Sequence, residues 1–346
     1  MNMKKILIAL TCMAVLSGCK NQDVDFPDFE YTAAYFPYQY PVRTLVLGDY
    51  IYDNTNDNNH KFLISAAFGG VYTNTKDRVL TVEVDESLCD SVLFTSTFTT
   101  LTDTIRVMPS EYYELSSYDK LTIPAGKFNG SIEVQLKDTF FNDPLAIKLT
   151  YVIPLRLVGS SDVDSILRGK AVVPNPDPRV VADWGVAPKD YTMFAVKYIN
   201  PYDGQYLHRG VAKVTNASDS VVEETVYRAT YVEQNELWRF NTTGRDQVGV
   251  RGSMRSTKFS GAVSLLLDFN EEGVCTIKKG PGCRYTVTGT GNLVKGGESW
   301  GNQPRTTIYL NYQFSNATGT LTYTASDTCV LRDRPVVLEK YTPKVL

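Results

Sequence analysis

Val79-Leu80-Thr81-Val82-Glu83-Val84 alternates apolar and polar side chains with a period of two, and Ser131-Ile132-Glu133-Val134-Gln135-Leu136 repeats the pattern. Successive side chains of a strand point to opposite faces, so each stretch offers one face to a core and the other to water. Leu121-Thr122-Ile123 is a shorter run stopped by Pro124-Ala125-Gly126, a turn that sends the chain back into residues 131–136. Ile147 to Val158 is a further strand, longer and more continuously apolar. Asn54 to Asn59 and Phe128-Asn129-Gly130 punctuate the runs. The first half carries no convincing three-and-four spacing of an amphipathic helix.

About seven strands without helical crossovers predict an antiparallel β-sandwich of immunoglobulin-like type over residues 35–171. Residues 172–189 hold Pro174, Pro176, Pro178 and Pro188. Each proline fixes φ and lacks a backbone donor, so this stretch is expected to be a linker between domains. Strand-like runs return at Tyr191–Tyr198, Gln205–Val214, Val222–Val232, Ala262–Phe269, Tyr285–Gly289, Thr306–Phe314 and Gly319–Thr324. Sequential strands joined by short turns predict an up-and-down, lipocalin-like antiparallel β-barrel over 190–346, with a ligand site in its mouth as one expectation. A second sandwich is the alternative. The fold class is therefore all-β.

Met1–Lys5 is basic, Ile6–Leu16 is apolar, and Leu16-Ser17-Gly18 leads into Cys19. The layout is that of a bacterial lipoprotein signal, with residues 1–18 removed and Cys19 lipidated; the apolar run is too short to span a bilayer. Residues 19–34, with Asp23, Asp25, Asp28 and Glu30, are expected to form a flexible stalk. The expected location is the outer membrane, lipid-anchored and facing the cell exterior.

The formal net charge is −3, and loss of Lys4 and Lys5 with the leader makes it −5. No long basic run remains, so no nucleic-acid partner is expected. Cys89, Cys275, Cys283 and Cys329 lie beyond the lipidation site. Cys275 and Cys283 flank the turn signal Lys278-Lys279-Gly280-Pro281-Gly282 and are the candidate disulfide; two isolated buried thiols are the alternative. With two histidines in the chain, His60 and His208, no metal site and no cofactor is expected. Asp53 to Asn59 fails as a calcium loop, because positions three, six and twelve would be Thr55, Asn58 and Ile64. Neither histidine accompanies a Gly-x-Ser-x-Gly elbow, and no catalytic residue is assigned.

Two groups of motifs carry a resemblance. Ala66-Ala67-Phe68-Gly69-Gly70 with Val79–Asp85, and Tyr112-Tyr113-Glu114-Leu115-Ser116 with Leu121–Gly126, resemble the N-terminal Ig-like domain of Bacteroidetes surface lipoproteins. In some relatives that domain precedes an endo-β-N-acetylglucosaminidase, in others a non-catalytic β-domain. Gly204–Gly210, Glu298-Ser299-Trp300-Gly301 and Ile308-Tyr309-Leu310-Asn311-Tyr312 resemble the second arrangement. The resemblance implies an outer-membrane lipoprotein associated with glycan utilisation and transfers no catalytic residue.

Flat aromatic faces stack on the C–H faces of sugars while nearby polar groups meet the hydroxyls. Trp238, within Glu236–Asn241, and Trp300, within Glu298–Gln303, are set among such groups, and with Tyr312 they form the candidate ligand-binding surface. Core packing is the competing role for these rings. Trp184, in the proline-rich stretch, is expected to pack between the domains. The expected function is non-enzymatic binding of a polysaccharide or oligosaccharide, or support of an outer-membrane transport complex. The alternatives are a protein-docking subunit and a glycoside hydrolase on a β-scaffold.

Overall fold

The computed structural model describes residues 28–29, 31–95 and 103–346. The leader, Cys19 and most of the expected stalk lie outside the described residues. The chain is all-β, with 54% strand and 7% helix. Its N-terminal region is sandwich-like and its C-terminal region is a closed antiparallel barrel of eight strands.

One sheet of the sandwich runs Ser165–Ile166, Ala33–Tyr35, Lys61–Gly69, Asn129–Leu136, Tyr113–Leu115. The other runs Glu339–Lys340, Pro41–Val46, Tyr191–Ile199, Tyr151–Gly159, Arg78–Val84, Lys120–Ile123. The alternation in the sequence sets which side chains meet: Ile64, Ile132, Val134, Leu80 and Val82 are buried in one core between the sheets. Tyr151–Gly159 is buried on both faces because a second cluster, including Val92, Phe94, Met193 and Tyr341, covers Val152 on the far side.

Tyr191–Ile199, expected as a barrel strand, belongs to the sandwich. It runs antiparallel to Tyr151–Gly159 and parallel to Pro41–Val46. Both its faces find apolar cover: Tyr191, Met193 and Ala195 join the outer cluster, while Val196 and Tyr198 join the inter-sheet core. The proline-rich stretch is therefore no linker between domains. It leaves the sandwich at Lys170–Ala171 and returns to it, as Trp184–Val186 pairs back on those residues. Trp184 closes this excursion by donating its indole N–H to Asp177 O at 2.8 Å. The C-terminus also returns: Glu339–Lys340 pairs with Pro41–Val46, and Thr342–Val345 pairs with Val92–Thr95.

The barrel strands are Gly204–Asn216, Glu236–Gly244, Gln247–Ser253, Ala262–Phe269, Val274–Lys279, Thr288–Trp300, Gln303–Ser315 and Leu321–Asp333. Each pairs antiparallel with the next, and Leu321–Asp333 closes on Gly204–Asn216 from Asn216↔Leu321 to Gln205↔Asp333. Val221–Tyr227 extends the wall beside the distal half of the first strand. The lumen is filled by buried aromatic and aliphatic side chains, among them Tyr206, Trp238, Phe240, Phe259, Phe314 and Tyr323.

Arg334 fastens barrel to sandwich. Its guanidinium donates to Asp203 O at 2.9 Å, Asn200 O at 2.6 Å and Asp49 O at 2.8 Å. Asp203 in turn accepts from Thr242 N at 2.7 Å and Arg239 at 2.6 Å. Buried polar groups carry little cost when each finds a partner, and all three Arg334 nitrogens find a carbonyl here.

Candidate functional site

The three aromatic residues selected from sequence do not share a surface. Trp238 points into the lumen, stacked on His208 with ring centroids 3.5 Å apart and planes 16° from parallel. Gly252 makes room for it, since a Cβ there would lie 2.4 Å from the indole. Tyr312 also faces inward and donates to Asp327 Oδ2 at 3.1 Å. Trp300 lies on the outside, where its N–H donates to Leu331 O at 3.1 Å. The Arg305 guanidinium covers a face of its ring at 4.3 Å. Two of the three therefore plug the barrel, and the third is held against its wall.

The plug ends in a buried polar network. Asp327 accepts from the Tyr227 and Tyr312 hydroxyls, and one of its oxygens lies 3.1 Å from His208 Nε2. His208 Nδ1 is 3.4 Å from Glu236, which also pairs with Arg255. Burial, reinforced by the Asp327 charge, pushes the phenols of Tyr227 and Tyr312 well above their ordinary value. They are donors here, not bases. Both nitrogens of His208 are thus turned to carboxylates beneath Trp238, which leaves neither facing a nucleophile. His60 lies in a turn against Phe141 at 4.1 Å, where burial lowers its pKa.

Cys275 and Cys283 are separate buried thiols. The tight hairpin that would have bridged them does not form: the cross-strand partner of Cys275 is Gly291, so residues 280–287 make a longer connection. Burial pushes the Cys275 thiol up to about 12.

The surface best suited to a ligand is on the outer wall of the last three strands. Inward Gly289, Gly291, Leu310, Tyr312, Tyr323 and Ala325 alternate with outward Thr288, Thr290, Asn311, Gln313, Thr324 and Ser326. Register then lines up two rows across three strands, Thr288–Gln313–Thr324 and Thr290–Asn311–Ser326. Ser326 Oγ lies 2.8 Å from Asn311 Oδ1. A shallow hollow of about 270 Å³ lies over this ladder. It shares Thr288 and Gln313 with a cleft of about 710 Å³ at the distal barrel end, lined also by Arg284, Tyr285 and Asn316. The Tyr285 ring stacks on Phe314 at 4.8 Å and 14°, and its hydroxyl donates to Ser260 O at 3.2 Å. Phe314 stacks in turn on Tyr323, so the cleft wall is braced from the lumen. The flanking Lys213 and Lys278 pair with Glu224 and Asp268, leaving the ladder itself to hydroxyls and carboxamides.

A crystal structure of a Bacteroides ovatus protein of unknown function is 36% identical to this chain. The alignment covers 92% of this chain and all of that one, with a TM-score of 0.84. The chain belongs to that protein's family. Residues 201–335 match a domain of unknown function, DUF5627, and residues 29–164 match a model described as an N-terminal domain. The first match begins at the barrel and ends just after Arg334. A multidomain Bacteroides ovatus protein including DUF1735 aligns at 13% identity over 87% of this chain and 94% of its own, with a TM-score of 0.41. A comparison with the curated proteins returns no match.

Proposed function

We propose that this chain is a non-catalytic, lipid-anchored cell-surface protein that binds a neutral saccharide on the outer wall of its barrel. The observation that carries the reading is the ladder of six uncharged polar side chains running into the Tyr285 cleft. Hydroxyls and carboxamides both donate and accept, which matches the hydroxyl groups of a sugar, and the aromatic edge meets its C–H surface. The leader ending at Cys19 supports the surface address, and the resemblance to glycan-utilisation lipoproteins supports the ligand class. Affinity electrophoresis of the full chain through neutral polysaccharides tests it. Retardation by at least one polymer is expected, with loss on combining Asn311→Ala and Gln313→Ala and no change in melting temperature. Equal retardation of that variant overturns the assignment.

A second reading, docking to a partner in an outer-membrane complex, is favoured by the strand Val221–Tyr227. It pairs on one edge alone among the described residues, and Val222 and Val226 are exposed on it. Open strand edges with apolar faces are sites of strand addition. Under that reading Val226→Lys, and not the ladder variant, removes association with the partner.

A further inference from the structure

A further cleft is on the sandwich, remote in sequence from the barrel ladder. It encloses about 830 Å³ between residues 159–170 and 186–189. Arg168, Lys170 and Lys189 line it, in a chain whose overall formal charge is −3. The acid in its lining, Asp164, is already engaged, accepting from the backbone N–H and the hydroxyl of Thr32, both at 2.7 Å. Asp190, behind the cleft, is buried against Arg156 at 3.3 Å and lies 3.9 Å from Arg168. Among the described residues neither Lys170 nor Lys189 pairs with a carboxylate, and Lys189 is held over the Tyr35 ring at 5.6 Å. The lining also holds the apolar Val163, Ile166, Leu167 and Val186.

The wall is fixed rather than loose. Gly169 has φ +75°, and a Cβ there would meet Val186 O at 2.4 Å and Pro188 N at 2.7 Å. This close approach brings the Gly169 turn against residues 186–188, at the end of the small sheet of Lys170–Ala171 and Trp184–Val186.

We infer that this cleft binds an anionic saccharide segment, whose carboxylate or sulfate groups face Arg168, Lys170 and Lys189. Three cations line one elongated run of residues, 168–189, which suits several charges carried along a chain. The apolar side chains in the lining offer the surface that sugar C–H faces require. The choice of a saccharide rests on the glycan reading above, whereas the charge of the ligand follows from the cleft alone.

Native gels of the full chain containing polygalacturonate, dextran sulfate or unsubstituted dextran test the inference. Retardation by a charged polymer and not by dextran is expected at low ionic strength. It should weaken as salt rises, because exposed charge pairs are screened. Combined Lys170→Glu and Lys189→Glu should abolish it with at most a small fall in melting temperature, since neither ammonium group holds an ion pair among the described residues and Lys189 loses only its place over the Tyr35 ring. The ladder variant Asn311→Ala with Gln313→Ala should retain it, which separates failure of this inference from failure of the barrel reading. Undiminished retardation of the charge-reversed chain, or none by either charged polymer, would overturn it.

Discussion

Asp327 shows how much of the barrel depends on single side chains. Its carboxylate has no exposed surface, and it serves two tyrosine hydroxyls and faces one imidazole. Removing one partner of a buried charged network leaves the others desolvated and unpaired, at a cost of about 3–5 kcal/mol. Asp327→Ala is therefore expected to lower the unfolding free energy read by urea denaturation by that order, whereas Ser326→Ala, one residue away on the outer face, should leave it unchanged. Equal effects of the two would contradict the inward–outward assignment. The inward direction of Trp238 was not decided by sequence, where core packing competed with a ligand surface and the apolar Leu237 beside it blurs the alternation. What the sequence did not show is that a lumen this full of rings leaves no face of Trp238 for a ligand. Nor did Asn311 and Gln313 stand out, because any half-exposed strand alternates polar residues. Only the register that sets them between Thr288–Thr290 and Thr324–Ser326 makes them a surface.

At the scale of elements, strands were easier to read than their neighbours. Tyr191–Ile199 is evident as a strand, but alternation reveals burial and not the sheet that supplies it. Its parallel partner, Pro41–Val46, is distant in the chain. The cysteine pairing failed for the same reason: it depended on the register after Lys279. The excursion through the prolines is held by Arg179, which donates to Leu88 O at 3.0 Å and Asp90 O at 2.7 Å and pairs with Asp177 at 2.7 Å. The Arg179 hydrogen bond holds the Asp177 carboxyl below its ordinary value. A depressed folded-state pKa means that the unfolded chain takes up the proton first. The contribution is thus complete above about pH 5 and is lost as pH falls through the depressed value. Melting temperature should accordingly fall less between pH 5 and 2 in Asp177→Asn than in the parent chain; identical slopes would remove this pair from the account. The C-terminal tail makes a stronger claim. Tyr341 is buried in the outer cluster, edge-on to Phe94 at 4.8 Å, and donates to Met193 O at 2.8 Å. Deleting residues 341–346 should destabilise the sandwich by about 3–5 kcal/mol, the range for removing a buried aromatic side chain. That loss would be read by denaturant unfolding, and an unaltered midpoint would contradict it.

For the whole molecule, the chain path ties the two β-domains together. It passes from sandwich to barrel through Tyr191–Ile199, comes back through residues 336–346, and is locked at the crossing by Arg334. A barrel with a filled lumen, braced on a sandwich, presents its outer walls rather than an internal chamber. The wall formed by residues 288–326 is proposed to meet a neutral saccharide. The most direct measurement is a crystal structure of the full chain with an oligosaccharide from a neutral polymer that retards it. The account predicts sugar density along Thr290–Asn311–Ser326, extending toward the Tyr285 ring. Density in the lumen or over Trp300, or the absence of any neutral polymer that the chain binds, would contradict it.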